Sequence, residues 1–348
     1  MIISLKNKLR SFDKLRRRKM HSVERLLYKV IKNDSQLEVN LLPTSEVKRI
    51  LIIRQNNRIG NILFLITFIR QVRIAYPHAV IDLLLSKPCQ GQYVEGLGVD
   101  NILYSHFSLS SVFKWFQIIK QLNTNQYDLL LASHCSASDA ITSASIAARN
   151  KVSRYDERRI LAFPNSLKKS ISRKHAAHTC LFLLEQLGHQ LVLPLKHQLA
   201  FSQDEINQGK DLSQEYIQED ALNLVFFRGA RGAKRLSAAN WEKILKSFEG
   251  GVDKKINWIE ILSPDIQTSL RENTRTFTTS NMRLLGSFLK NFEGFLCCDT
   301  GPLHLADAAD VKCLGVYTHT HIESFGLLGN KSMHITDIND FDARELVY

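Results

Sequence analysis

The chain predicts an α/β fold with parallel sheets in two halves, and two stretches and its length carry that expectation. Lys48 to Leu85 reads as strand, helix, strand. An apolar strand Ile50 to Ile53 leads through a polar turn to a helix bearing Ile62, Leu63, Leu65, Ile66, Phe68 and Ile69, and a second strand Ala79 to Leu85 follows. Far downstream, the apolar segment Phe292 to Cys298 reads as a buried strand that enters a turn and a helix, Asp299 to Ala309. With 348 residues, 44% of them hydrophobic, the chain is long enough to bury two cores.

Residues 1–45 read as a basic helical extension that ends near Pro43. Residues 46–195 form the first α/β domain, with strands near 50–53, 79–85, 101–104 and 128–132 alternating with helical segments. A connection around Leu191 to Ala200 contains Pro194. The second domain, 196–348, has strands at Leu222 to Phe227, Asn257 to Leu262, Phe295 to Cys298 and Cys313 to Tyr317. No internal repeat or low-complexity tract interrupts this order. Ligands of such sheets lie at the carboxyl ends of the strands, which places a cleft between the two halves.

The formal net charge is +12, and it is unevenly placed. Residues 1–33 hold eleven basic residues against Asp13 and Glu24, an excess of nine. Val23, Leu26, Leu27, Val30 and Ile31 fall at helical spacing, with a weaker stripe at Leu5, Leu9 and Phe12. A basic amphipathic helix of this kind suits an anionic membrane surface. The alternative is a solvated helix packed on the first domain by its apolar stripe. Nucleic acid is not an expected partner, because no aromatic platform or nucleic-acid-binding motif accompanies the charge. The six cysteines have neither metal-ligand spacing nor the density of a disulfide scaffold. No signal-like or membrane-spanning apolar run is read, so the expected location is cytoplasmic, peripheral to the inner membrane.

Candidate chemistry gathers in the second half. In DTGPLHLADAA, Asp299 and Thr300 can cap a helix, Gly301 permits a close approach, Pro302 fits the first turn, and His304 shares a face with the free N–H groups. This entrance suits a diphosphate, although an ordinary capped turn has the same residues. After the strand Leu222 to Phe227 comes RGARGAKRL, which holds Arg228, Arg231, Lys234 and Arg235 before a helix near Ala238. Cations there, opposite the Asp299 helix, would clamp a diphosphate from two sides. A solvated basic loop is the alternative.

Taken together, RILIIR…RIGNILFLITFIRQVRIAYPHAVIDLLL and CDTGPLHLADAA resemble the bacterial heptosyltransferases, glycosyltransferase family 9. YDLLLASHCSASDA, HAAHTCLFLLEQLG and FFRGARGAKRLSAANWEKIL extend the resemblance over about residues 48–335. The resemblance implies a GT-B fold: two Rossmann-like α/β domains, the first for the acceptor and the second for the donor, facing a central cleft. It implies an inverting, metal-independent glycosyltransferase that uses no cofactor. The donor would be a nucleotide sugar, ADP-heptose above all, and the acceptor a lipid-linked saccharide of the lipopolysaccharide core or a related surface glycan. Lys234 matches the family's donor-binding lysine, and the implied donor set is Arg228, Lys234, Arg235, Asp299, Thr300, Gly301 and His304. Arg58 and Gly60 lie on the acceptor side.

The chain departs from the family at several points. Leu236 stands where a tryptophan usually follows the lysine, and Thr318 to Ile322 replaces a G-P-T-D-P-like segment. Asn61 occupies the place of the usual catalytic aspartate after the loop glycine, and Gln55, Asn56 and Asn57 supply no acid earlier in that loop. An amide holds a hydroxyl but does not accept its proton. Three explanations stand: a base from elsewhere, with Asp139, His134, His319 and His321 as candidates; a different sugar or acceptor; or a weakly active or non-catalytic relative that binds nucleotide sugar or lipid saccharide.

Overall fold

The structure, a computed structural model, describes residues 24–107, 111–134, 136–168 and 173–344. The first sheet has five parallel strands: β1 (Arg49–Arg54), β2 (Val80–Leu85), β3 (Asn101–Tyr104), β4 (Tyr127–Ala132) and β5 (Ala148–Ser153), in the order β3-β2-β1-β4-β5. The second has six: β6 (Leu222–Phe227), β7 (Ile256–Ile261), β8 (Arg275–Phe277), β9 (Gly294–Cys298), β10 (Cys313–Val316) and β11 (Met333–Ile335), in the order β11-β10-β9-β6-β7-β8. In each sheet the order reverses beside the first strand, between β1 and β4 and between β6 and β9. Those two points are where open α/β sheets bind ligands. The two-domain α/β, GT-B-like architecture is therefore present.

Helix α1 covers residues 24–31. The helix expected after β1 is broken into α2 (Ile59–Leu63) and α3 (Ile66–Ala75), because Phe64 and Leu65 turn between them. Helices α4 (Val112–Asn123), α5 (Ala137–Ser145) and α6 (Phe182–Gln186) complete the first half. The second half adds α7 (Gln203–Gln214), α8 (Ala238–Gly251), α9 (Met282–Leu289), α10 (Gly301–Ala308) and α11 (Ile322–Phe325). Residues 189–202, around Pro194, form the connection without helix or strand.

One apolar cluster runs through both halves. It joins Ile50, Ile52, Leu83 and Leu131 of the first sheet to Val225 and Phe295 of the second sheet and to Leu303 and Leu305 of α10. Polar ties reinforce it: the Leu199 amide donates to the Ala308 carbonyl (2.7 Å), the Ala176 amide to Ser324 (2.8 Å), and Arg283 Nη1 to Gln92 (2.8 Å). No described helix is long and apolar enough to cross a membrane.

Two features of the first half depart from expectation. β5 has the sequence ARNKVS, whose polar centre hid it from a search for apolar runs. Lys151 in that strand is completely buried, and burial pushes its ammonium down to about 8 against the pull of Asp34. Its Nζ donates to the Asn33 carbonyl at 2.8 Å and lies 3.5 Å from Asp34 Oδ1. A charge removed from water needs such partners, and here residues 33 and 34 of the extension supply them.

The extension is accordingly packed where it is described. Tyr28 is fully buried with Leu51, Trp115 and Ala144, while Leu27 and Ile31 line the same cluster. The expected stripe is split, because Leu26 and Val30 are exposed at 65% and 77%. Val23 and the Leu5, Leu9 and Phe12 stripe lie outside the described residues. A first domain starting at residue 46 would thus lose part of its outer layer. Tyr28→Ala should cost about 3 kcal/mol of stability, the usual loss for a buried aromatic, read as a lowered urea midpoint. An unchanged midpoint would show that the extension is dispensable to the core.

Candidate active site

At the switch point of the second sheet, the loops after β6 and β9 meet. The first ends in a single turn of tight helix, Gly232–Lys234, in which Gly232 takes φ +61°. The second contains Asp299 immediately after β9. Lys234 Nζ donates to the Asp299 carbonyl at 3.2 Å and forms an ion pair with Oδ2. His304 Nε2 lies 2.9 Å from Oδ1 of the same carboxylate. Burial alone would raise the Asp299 carboxyl, but hydrogen bonds from His304, Lys234 and Thr320 hold it well below the usual carboxylate range.

This arrangement changes the expected roles at the helix entrance. Thr300 is the N-cap residue, with extended backbone, but its side chain caps nothing. Its Oγ1 lies 3.3 Å from Cys297 Sγ, and Asp299 is engaged by Lys234 and His304. Among the described residues the first amides of α10 are therefore left without a side-chain acceptor, and Pro302 sits in the first turn as expected. These amides and the helix dipole favour an anion.

The cationic loop is not uniform. Arg228 is paired with the buried Glu260 and also donates Nη2 to the Thr268 carbonyl (2.7 Å), so it is committed to its own half. Arg231 and Arg235 are exposed and form no ion pair among the described residues. Lys234 is the cation placed directly at the start of α10.

α2 closes on this entrance from the first half. A Cβ built on Gly301 would stand 3.2 Å from Ile59 Cβ, and one on Gly60 would stand 3.3 Å from His304 Cδ2. Phe64 adds an edge contact to His304, with ring centroids 4.8 Å apart, and another to His175 at 5.3 Å. Glycine at 60 and 301 is what allows the two halves to approach this closely. Asn61, in the first turn of α2, is half-buried, and its side chain forms no hydrogen bond among the described residues. Arg58, just before α2, is exposed.

Two of the alternative bases are buried, and one of them is already engaged by hydrogen bonds. Asp139 is fully buried at the start of α5: Oδ1 accepts the Gln55 amide (2.7 Å), and Oδ2 accepts the Ser136 amide (3.2 Å) and hydroxyl (2.6 Å). Burial raises its carboxyl despite these bonds. Burial, aided by Arg54 and Arg154, pushes His134 down to about 3, which makes it a poor proton acceptor. His319 and His321 are exposed on either side of Thr320.

Sequence reasoning missed Phe64, and it read Gln55 only as a neutral loop residue and Thr320 only as part of the altered segment Thr318 to Ile322. Gln55 fixes the first loop, because its Oε1 accepts from Ser138 and Thr142 while Nε2 donates to the Ser105 carbonyl. Its polarity between strand and helix was the available signal. No group of three or more His, Cys, Asp or Glu side chains able to hold a metal ion is assembled among the described residues.

Comparison with known proteins places this geometry. The family model described as glycosyltransferase family 9 (heptosyltransferase) matches residues 115–345. Among solved structures, a family 9 glycosyl transferase from Veillonella parvula is 15% identical, with a TM-score of 0.70 over 84% of this chain and 86% of its own. E. coli heptosyltransferase WaaC, solved with ADP, is 16% identical, with a TM-score of 0.65 over 86% of this chain and 97% of its own. E. coli ADP-heptose lps heptosyltransferase II is 15% identical, with a TM-score of 0.65 over 86% and 96%. No curated protein matches the chain.

Asp299→Asn should cost about 2 kcal/mol, the worth of charge-assisted hydrogen bonds. Because the folded-state carboxyl is held low, the wild-type advantage is complete above the ordinary carboxylate value and lost as pH falls through and below about 4. Urea unfolding of both proteins between pH 7 and pH 2 measures the difference. A gap that persists unchanged at the lowest pH would exclude the carboxylate as its source.

Proposed function

The chain belongs to glycosyltransferase family 9, the heptosyltransferases, and from that premise we propose that it transfers heptose from ADP-heptose to a lipopolysaccharide core or related surface-glycan acceptor. The observation that supports this reading best is Lys234 fixed by Asp299 at the uncapped entrance of α10. The donor's diphosphate lies against the α10 amides with Lys234 beside it, and Arg235 adds charge at the rim. Asp299 and His304 hold this corner in shape, with Thr300 and Gly301 forming its floor, while Arg228 anchors the loop through Glu260. As the bond to the sugar breaks, these fixed charges stabilise the leaving ADP without a metal ion. The acceptor hydroxyl attacks from the opposite face, which inverts the anomeric centre.

Asn61, with Arg58 and Gly60 beside it, orients the acceptor hydroxyl, and positioning supplies much of the rate. The exposed imidazoles of His319 and His321 are the candidates for its proton. The same Asn61 favours a second reading, a relative that binds nucleotide sugar or lipid saccharide without turnover.

One experiment separates these readings. Wild type, Asn61→Asp and Lys234→Ala are assayed for ADP release from ADP-heptose with a heptose-free core acceptor, in EDTA, alongside calorimetry with ADP. Wild-type turnover in EDTA is expected. Lys234→Ala should weaken ADP binding by about 1.5 to 3 kcal/mol, roughly 10- to 150-fold. Turnover appearing only in Asn61→Asp would identify the non-catalytic reading, and unchanged ADP affinity in Lys234→Ala would remove the donor site.

The membrane is the proposed second partner. Residues 1–33 carry the basic excess, and Leu26 and Val30 on α1 are exposed beside it. The chain should sediment with anionic vesicles at low salt and be released as salt rises, since exposed charges are screened beyond about 8 Å near physiological ionic strength. Changing Arg16, Arg17, Arg18 and Lys19 to Glu should abolish binding. Unaltered sedimentation would locate any membrane contact elsewhere.

A further inference from the structure

We propose that Arg54, Ser133 and His134, with Arg154 at the mouth, form a binding site for an oxyanion, a phosphoryl or carboxylate group carried by the acceptor. Strand register brings these residues together. Ile53 pairs with Ala132, and Ala132 with Ser153, so Arg54, Ser133 and Arg154 follow at one level on the adjacent strand ends of β1, β4 and β5. Side chains alternate along strands. Ile52, Leu131 and Val152 face the cluster shared by the two halves, so Arg54, Ser133 and Arg154, each two residues on, share that face. This is the carboxyl edge of the first sheet at its switch point, the place where such sheets take ligands.

The Arg54 guanidinium is the unexplained group there. Arg54 is only 5% exposed, yet it has no hydrogen-bond or ion-pair partner among the described residues, and its Nε is shielded from solvent. Ser133 Oγ and His134 Nδ1 are likewise shielded and have no hydrogen-bond partner among the described residues. A buried cation without an acceptor is costly, and native proteins rarely retain one without a use. The surrounding groups do not neutralise it fully. Asp139 is the nearby carboxylate, but both its oxygens are taken up by Gln55 and Ser136. The Cys180 thiol beside it is pushed up to about 12 by burial and is neutral. Arg154 is a second cation, exposed at the edge. An oxyanion satisfies the guanidinium in a geometry that arginine is built to recognise and accepts from the Ser133 hydroxyl as well.

That the oxyanion belongs to the acceptor rests on the transfer reaction proposed above; that the site binds one rests on Arg54. The test is thermal unfolding of the full chain with saturating ADP, titrating inorganic phosphate or acetate at constant ionic strength. A ligand that binds only the folded state raises Tm with its concentration. Phosphate should raise Tm in wild type, Arg54→Met should need at least tenfold more phosphate for the same rise, and Arg54→Lys should fall between them. A rise with phosphate alone assigns a phosphoryl group, one with acetate alone a carboxylate, and one with both an oxyanion of either kind. No rise with either, or equal rises in wild type and Arg54→Met, overturns the site. If Arg54→Met does not fold, the exposed Arg154→Met decides by the same comparison. The ADP-induced rise is read separately in wild type. Its absence counts against the transfer reaction and leaves the oxyanion site to be judged by the arginine variants.

Discussion

The carboxylate of Asp299 is the point that organises the corner of the second half against which the first half packs. It receives Lys234 from the loop after β6 and His304 from the second turn of α10, so one side chain fixes a loop, a helix and the strand between them. His304 in turn presents its ring to Gly60 and Phe64 of the first half. The carboxylate is buried, and burial would ordinarily favour its neutral form. Three donors reverse that preference and keep it charged. A charged Asp299 keeps the lysine at the start of α10 and the imidazole against α2, where the cleft closes.

The first half handles its buried charges in contrasting ways. Lys151 is enclosed by carbonyl groups and by Asp34, so its cost is offset within the fold and the extension becomes part of the domain. Asp139 is likewise satisfied, and it serves to tie the loop after β1 to the helix after β4. Arg54 has no hydrogen-bond or ion-pair partner among the described residues. A group that costs stability and holds nothing together is best understood through what it binds; the oxyanion site proposed for it stands at the first sheet's switch point, as the proposed donor corner stands at the second.

Much of the architecture is legible in the sequence because apolar strand segments and glycine-bearing turns are local signals. β1, β2, β6 and β9 follow from runs of Ile, Leu, Val and Phe. The segments that escaped are those whose burial is not paid for by apolar side chains. β5 has asparagine and lysine at its centre and is held by pairing to β4. β8 and β11 are three-residue edge strands, too short for periodicity to register. Helix α1 shows a related limit. Its apolar positions suggest one stripe, but Tyr28 turns Leu27 and Ile31 inward and leaves Leu26 and Val30 outside.

The sequence by itself determined the α/β class, the two halves and the strand entering a helix at Asp299, and it singled out the residues proposed for the donor side, because each depends on residues close together in the chain. It also marked Asn61, since the identity of a residue is independent of its surroundings. Only the tertiary structure decided which of those residues act together. Arg228 and Lys234 look equivalent in one loop, yet one is bound to Glu260 on β7 and the other reaches Asp299 on the far side of the switch point. Asp139 and His134 look like free bases until the partners of the first and the burial of the second are seen. Whether a charge is paired depends on contacts between residues tens to hundreds of positions apart, and such contacts exist only once the sheets have formed and the two halves have closed on each other.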